Sequence, residues 1–163
     1  MSYSVRAVAN YFLDKGEEEG IPIDPIKLQK LVYYAHAWHL VAMEEPLINQ
    51  RFEAWKYGPV VSTLYHDFKQ FGSNPIEREK LSKESRDLDK LPDSAKDAKA
   101  LIDRVWQKFR GYSGMELSAL THARDSPWEK AWQRAQGRES FAIPDQSIKK
   151  YFDSRLERVE QAA

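Results

Sequence analysis

The stretch Asp24–Met43, DPIKLQKLVYYAHAWHLVAM, decides the fold. Asp24 followed by Pro25 is an N-cap and a first helical position, where the missing proline amide costs nothing. Leu28, Leu31, Val32, Ala35, Trp38 and Ala42 then mark one face of a helix that runs to about Met43, while Tyr33, Tyr34, Leu40 and Val41 cover most of the remainder. A helix apolar nearly all round is a buried one, so this segment is predicted to be the central helix. Before it, Val5, Val8, Ala9, Phe12 and Leu13 recur at helical spacing, with Ser4 as cap and Gly16 as stop. After it, Glu45-Pro46 breaks the helix, and Leu47–Lys56 loses the helical period and reads as an extended segment or short strand. Tyr57-Gly58-Pro59 signals a turn, and Pro59 suits the start of a third helix marked by Val61, Leu64, Tyr65, Phe68 and Phe71 and ended by Gly72.

Residues 73–91 change character: acids and bases alternate around scattered Ile76, Leu81, Leu88 and Leu91, which predicts a solvated surface loop with one irregular strand at most. Asp93 or Ser94 can cap a fourth helix whose buried stripe is Ala98, Leu101, Ile102, Val105 and Phe109. Ser113 with Glu116, and Ser126 with Glu129, both match the capping box, and Pro127 holds the first position of the second of these short helices. Trp128, Ala131, Trp132 and Ala135 form its inward face. Ser140–Pro144 is β-like and can pair with Phe52–Trp55, after which Asp145 caps a last helix carrying Ile148, Tyr151, Phe152, Leu156 and Val159. The sum is a mainly α protein: residues 1–163 form a single globular domain of about six helices around a buried central helix, with a small β element. A chain of this size buries about 70% of its unfolded surface, enough for a substantial core.

Composition removes several function classes. Lys plus Arg and Asp plus Glu both number 25, so the formal net charge is +0 and there is no global field for phosphate backbones or anionic membranes; nucleic-acid binding is disfavoured. No cysteine is present, hence no disulfide, thiolate nucleophile or zinc finger. The N-terminal MSYSVRAVANYF lacks the basic region and apolar run of a secretion signal, and no stretch approaches the roughly 20 apolar residues that span a bilayer, so a cytoplasmic protein is expected. The seven glycines never fall into a phosphate-cradling order, which argues against a nucleotide cofactor. Lys27, Lys30, Lys149 and Lys150 read as solvated-face residues among interleaved acids.

Four histidines are the remaining candidates for chemistry. His36 and His39 lie three apart on the central helix and could supply two metal ligands, but HExxH is absent and His39 shares the face of Val32, Ala35 and Ala42, which favours hydrogen-bonded core histidines. His66 beside Asp67, and His122, have no serine or cysteine elbow, and adjacent helical residues point apart. Neither a metal site nor a catalytic set is therefore predicted. The competing reading is a metal-dependent hydrolase built on His36, His39, His66 and His122. The aromatic load, five Trp, eight Tyr and seven Phe, is the unusual feature. Trp38 and Phe68 on apolar faces read as core. Trp55 and Tyr57, between an irregular segment and a Gly-Pro turn, are open to either a core or an interface reading.

The succession ANYFLDKG (Ala9–Gly16), KLQKLVYYAHAWHL (Lys27–Leu40), EAWKYGPVVSTLYHDFKQFG (Glu53–Gly72) and LSALTHARDSPWEKAW (Leu117–Trp132) resembles the Panacea domain of the SocA-like, phage-associated group. The resemblance covers nearly the whole chain and rests on the combination of these blocks. It implies a non-enzymatic antitoxin that neutralises a cognate toxin, encoded by a neighbouring gene, through protein contact, and SocA-like members can deliver the toxin to a cytoplasmic AAA+ protease. The implied partner-binding constellation is Trp55, Lys56, Tyr57, Gly58 and Pro59, exposed and flanked by Tyr34, His66, Ser126 and Trp128. The third reading is a phage structural or regulatory protein without a toxin. The chain lacks the appended DNA-binding segment of longer family architectures, which puts control of its own promoter in doubt.

Overall fold

The computed structural model describes residues 2–82, 89–138 and 141–162, with side chains as far as Arg155. Seven α-helices and three short strands are present among them: α1 Val5–Glu19, α2 Pro25–Met43, β1 Phe52–Trp55, β2 Gly58–Val60, α3 Ser62–Phe68, α4 Lys96–Phe109, α5 Gly114–Thr121, α6 Pro127–Ala135, β3 Phe141–Ile143 and α7 Asp145–Ala162. The architecture is mainly helical, and α2 is its axis, packing against α1, α4, α5, α7 and β2. Its N-terminus is set by Asp24, whose carboxylate accepts from Lys27 N at 2.8 Å, with Pro25 next. Leu28, Leu31, Val32, Ala35 and Ala37 are fully buried in one contiguous apolar core that also takes Val5, Val8 and Phe12 from α1, Ile102 and Trp106 from α4, and Ile148 from α7.

Helix α1 runs one turn beyond Gly16 and stops at Gly20, which adopts φ 69° and closes the helix with its own amide. Gly16 is needed for a different reason: a Cβ there would lie 2.8 Å from Ile21 O and 2.9 Å from the Ile23 side chain. Helix α4 starts at Lys96 after Ala95, with no side-chain cap from Asp93 or Ser94. Ser113 and Glu116 form the full capping box of α5. Ser126 caps α6, but Glu129 reaches back to Asp125 N. Asp145 opens α7 without capping it; its carboxylate instead accepts from His36 Nε2 at 2.8 Å.

The sheet has the order β2-β1-β3, with Phe52 opposite Ile143 and Trp55 opposite Gly58, both pairings antiparallel. The expected pairing of the Phe52–Trp55 segment with the chain before Pro144 is present, although Ser140 lies outside the described residues. Pro59 does not begin a helix. It sits inside β2, on the edge of the sheet, where a residue without an amide hydrogen is tolerated. The third helix therefore starts later, at Ser62, and ends in a 3-10 turn before Gly72.

Residues 73–82 and 89–91 contain a 3-10 turn, Arg78–Lys80, and no strand. They are tied down by Ile76 N on Ile23 O, by Arg78 on Asp14 and Glu17, and by buried Leu81 and Leu91; Leu88 lies outside the described residues. On α7, Ile148 and Phe152 are buried, while the side chains of Leu156 and Val159 lie outside the description. Phe68 is core, but Trp38 is only half-buried, edge-on to Phe152, and Trp132 is exposed on the outer side of α6. No described helix is long and apolar enough to cross a membrane.

Candidate functional site: a clamped hairpin with an aromatic face

The β1–β2 hairpin carries the motif Trp55-Lys56-Tyr57-Gly58-Pro59, and three helices hold its backbone by alternate carbonyls. Trp128 Nε1 of α6 donates to Trp55 O at 2.6 Å, Ser118 Oγ of α5 donates to Tyr57 O at 2.6 Å, and Lys30 Nζ of α2 donates to Pro59 O at 3.0 Å. One residue further on, the Gln29 carboxamide both donates to Val61 O and accepts from Val61 N, at 3.1 and 2.9 Å. Hairpin carbonyls and amides that leave the sheet ladder are thus satisfied by side chains, as buried backbone groups require.

Gly58 makes the clamp possible. Its φ of 111° lies in a region that favours glycine, and a Cβ would meet Thr121 Oγ1 at 2.6 Å and Lys30 Cε at 2.9 Å. Lys30 fills the space that glycine leaves and is 1% exposed. Burial lowers its ammonium to a pKa of about 7. Lys27, also buried, donates to Arg110 O at 2.6 Å, and burial lowers its pKa too. Both were expected on a solvated face. A flexible stem lying along apolar surface lets the ammonium reach a backbone carbonyl, so the sequence position on an apolar helix counts for more than the charge.

The positions singled out by sequence separate into two groups. Tyr34 is buried against Phe109, ring to ring at 4.6 Å. Gly58 and Pro59 are buried in the hairpin, so the expected exposed constellation does not extend past Tyr57. Ser126 is buried, capping α6 and donating to Thr121 O, and Trp128 is buried between His122 and Trp132, with ring centroids at 4.0 and 5.4 Å. These five residues build the scaffold. The others are accessible: Lys56 and His66 are exposed, Tyr57 is 49% exposed, and Trp55 is half-buried with its indole N–H on Glu53 Oε1. Tyr65, on the face of α3 expected to be inward, turns outward and packs on Trp55 at 4.8 Å, with His66 beside it at 5.3 Å. Its position could be read only from the third dimension. Trp55, Tyr57 and Tyr65, with Lys56, Lys69 and Lys30, border a groove of about 370 Å³.

The histidines are not brought together. His36 bonds Asp145 and accepts from Ile48 N at 3.4 Å, His39 Nδ1 meets Glu45 O at 2.7 Å, and His122 stacks on Trp128 with its Nε2 buried and unpartnered among the described residues. Asp67 is engaged by Arg6 at 2.8 Å. Among the described residues, no three His, Cys, Asp or Glu side chains group so as to hold a metal ion.

Comparison with known proteins gives this geometry its context. The family model described as antitoxin SocA-like, Panacea domain, matches residues 28–129, from α2 through the hairpin to the first turn of α6. The chain belongs to the SocA-like antitoxin family. Antitoxin SocA of Caulobacter vibrioides (strain NA1000 / CB15N) is 37% identical over 131 residues, covering 78% of this chain and 70% of that protein. No solved structure matches. The Panacea-domain match contains all four clamp residues, Gln29, Lys30, Ser118 and Trp128, together with the face they support. Membership in this family supports an antitoxin role and, with it, a toxin as partner in general terms.

Proposed function

We propose that this protein is a non-enzymatic antitoxin that acts in the cytoplasm, binding a cognate toxin directly through the face made by Trp55, Lys56, Tyr57, Tyr65 and His66. The observation that carries the reading is the combination of an exposed aromatic cluster with a hairpin whose Trp55, Tyr57 and Pro59 carbonyls are fixed by helix side chains. Rigid, amphipathic aromatics supply much contact area at low entropic cost, and a preorganised backbone spares the ordering cost of association. Contact of this kind serves either occlusion of the toxin or its delivery to a AAA+ protease, and the lifetime of the toxin after translation arrest separates the two.

The test is co-expression with the product of the neighbouring gene, followed by co-purification. The expected result is restored growth and a stable complex. Tyr57→Ala should then weaken the complex by about 2 kcal/mol, close to thirtyfold, with stability changed by no more than about 0.5 kcal/mol. A neighbouring product that is harmless alone, or that is neutralised equally well without this protein, refutes the proposal.

A further inference from the structure

The groove under the aromatic face borders a buried lysine that has no carboxylate partner among the described residues. Lys30 contributes to its wall, and its single hydrogen bond among the described residues goes to Pro59 O, a neutral acceptor. An ammonium has three donors, and a buried one is costly unless paired. Among the described residues, the charged and titratable groups that border Lys30 and the groove are His122 and, along the walls, Lys56, Tyr57, Tyr65 and Lys69. None is a carboxylate. Glu53, the acid that touches Trp55, is taken by the Trp55 indole and by Arg51. Two exposed cations, Lys56 and Lys69, and the buried Lys30 therefore border a groove whose other walls include Ile26, Val60, Trp55 and Tyr65.

We infer that this groove receives an acidic side chain of the toxin next to an apolar residue, the carboxylate held by Lys56 and Lys69 close to the buried Lys30 and the apolar neighbour lying on Trp55 and Tyr65. The inference rests on the preceding reading that this face meets a toxin, and adds the chemistry of what enters it. Electrostatic complementarity of this kind sets partner choice and association rate. It also gives the buried ammonium the negative neighbour that it lacks in the free protein.

The experiment uses the full chain labelled with [ε-13C]lysine, the Lys30 signal being assigned by its disappearance in Lys30→Met, and titrated at pH 8 with the purified neighbouring gene product. The expected result is a shift of that signal to the position of a charged ammonium on saturation. In parallel, the double variant Lys56→Glu, Lys69→Glu should bind at least thirtyfold more weakly, and a charge reversal at one internal acid of the toxin should restore at least tenfold. If the toxin binds the wild type but the Lys30 signal stays in place and the double variant binds equally well, the groove assignment falls while the antitoxin reading stands. If removal of the toxin's last residue, rather than of an internal acid, abolishes the shift, the occupant is a chain terminus and the side-chain assignment falls. Absence of any toxin binding overturns both.

Discussion

Replacing Lys30 by Met tests the energetics of the clamp at their most unusual point. The folded protein lowers this ammonium from 10.5 to about 7, and desolvation is the cause. Below about pH 7 both folded and unfolded states carry the proton, and the folded state bears the full cost of the buried charge. Between about 7 and 10.5 the unfolded chain binds more protons than the folded one, so stability rises with pH, by about 1.4 kcal/mol per unit. Above that window the contribution is flat. Methionine has a similar length and no charge, and its loss of the bond to Pro59 O, which leaves a buried acceptor unpaired, costs about 1–3 kcal/mol and offsets part of the gain. Lys30→Met is therefore expected to be more stable than wild type at pH 6, by several kcal/mol at most, and to lose that advantage by pH 10. Urea denaturation followed by far-ultraviolet circular dichroism from pH 6 to 10 measures both proteins. Subtracting the curves cancels shared groups such as Tyr11, whose phenol burial raises to about 12. His122, held low by burial and then by Lys30, titrates below the window. Curves that run parallel within about 0.5 kcal/mol across this range would refute the assignment of Lys30 as a buried, uncompensated cation.

Gly58→Ala should destabilise by roughly 1–3 kcal/mol from the strained backbone and by a similar amount from overpacking against Thr121 and Lys30; a change below about 0.5 kcal/mol in chemical denaturation would mean that the hairpin is not seated as described. Trp128→Phe removes the donor to Trp55 O and part of a ring stack, costing about 2–3 kcal/mol, whereas Trp132→Phe on the exposed side should stay within about 0.5 kcal/mol. Equal effects in thermal melts would reverse the orientation assigned to α6. Phe68→Ala should cost about 3–5 kcal/mol, and Trp38→Ala less because that ring is only half-buried.

Much of the helical frame was legible because its signals are local. Asp24-Pro25, Ser4 and the Ser113/Glu116 box act within a few residues of one another, and the apolar stripes of α1 and α4 coincide with buried faces. The hairpin was harder to read because Pro59 satisfies two different environments for the same reason: neither the first turn of a helix nor an edge strand asks for its missing amide hydrogen. Trp132 and Tyr65 kept helical spacing but faced outward, since short helices packed on one side only, one against the sheet and the other against α1 and α2, are covered over only part of their circumference. The clamp itself was invisible in sequence. Lys30, Ser118 and Trp128 are distant from the carbonyls that they hold, and nothing in their own neighbourhoods marks them as donors to one hairpin.

The pairing of the Gln29 carboxamide with both polar groups of Val61, next to Lys30 on Pro59 O, also closes the outer border of the small sheet. A partner cannot extend the sheet here by laying its own backbone alongside, because the groups that would template it are already occupied by α2. Whatever meets this side of the molecule must be told apart by side chains. Changes at Lys56, Tyr57, Tyr65 or His66 can then redirect the protein toward a different toxin while the main chain beneath stays fixed, which leaves recognition free to diverge without renegotiating the fold.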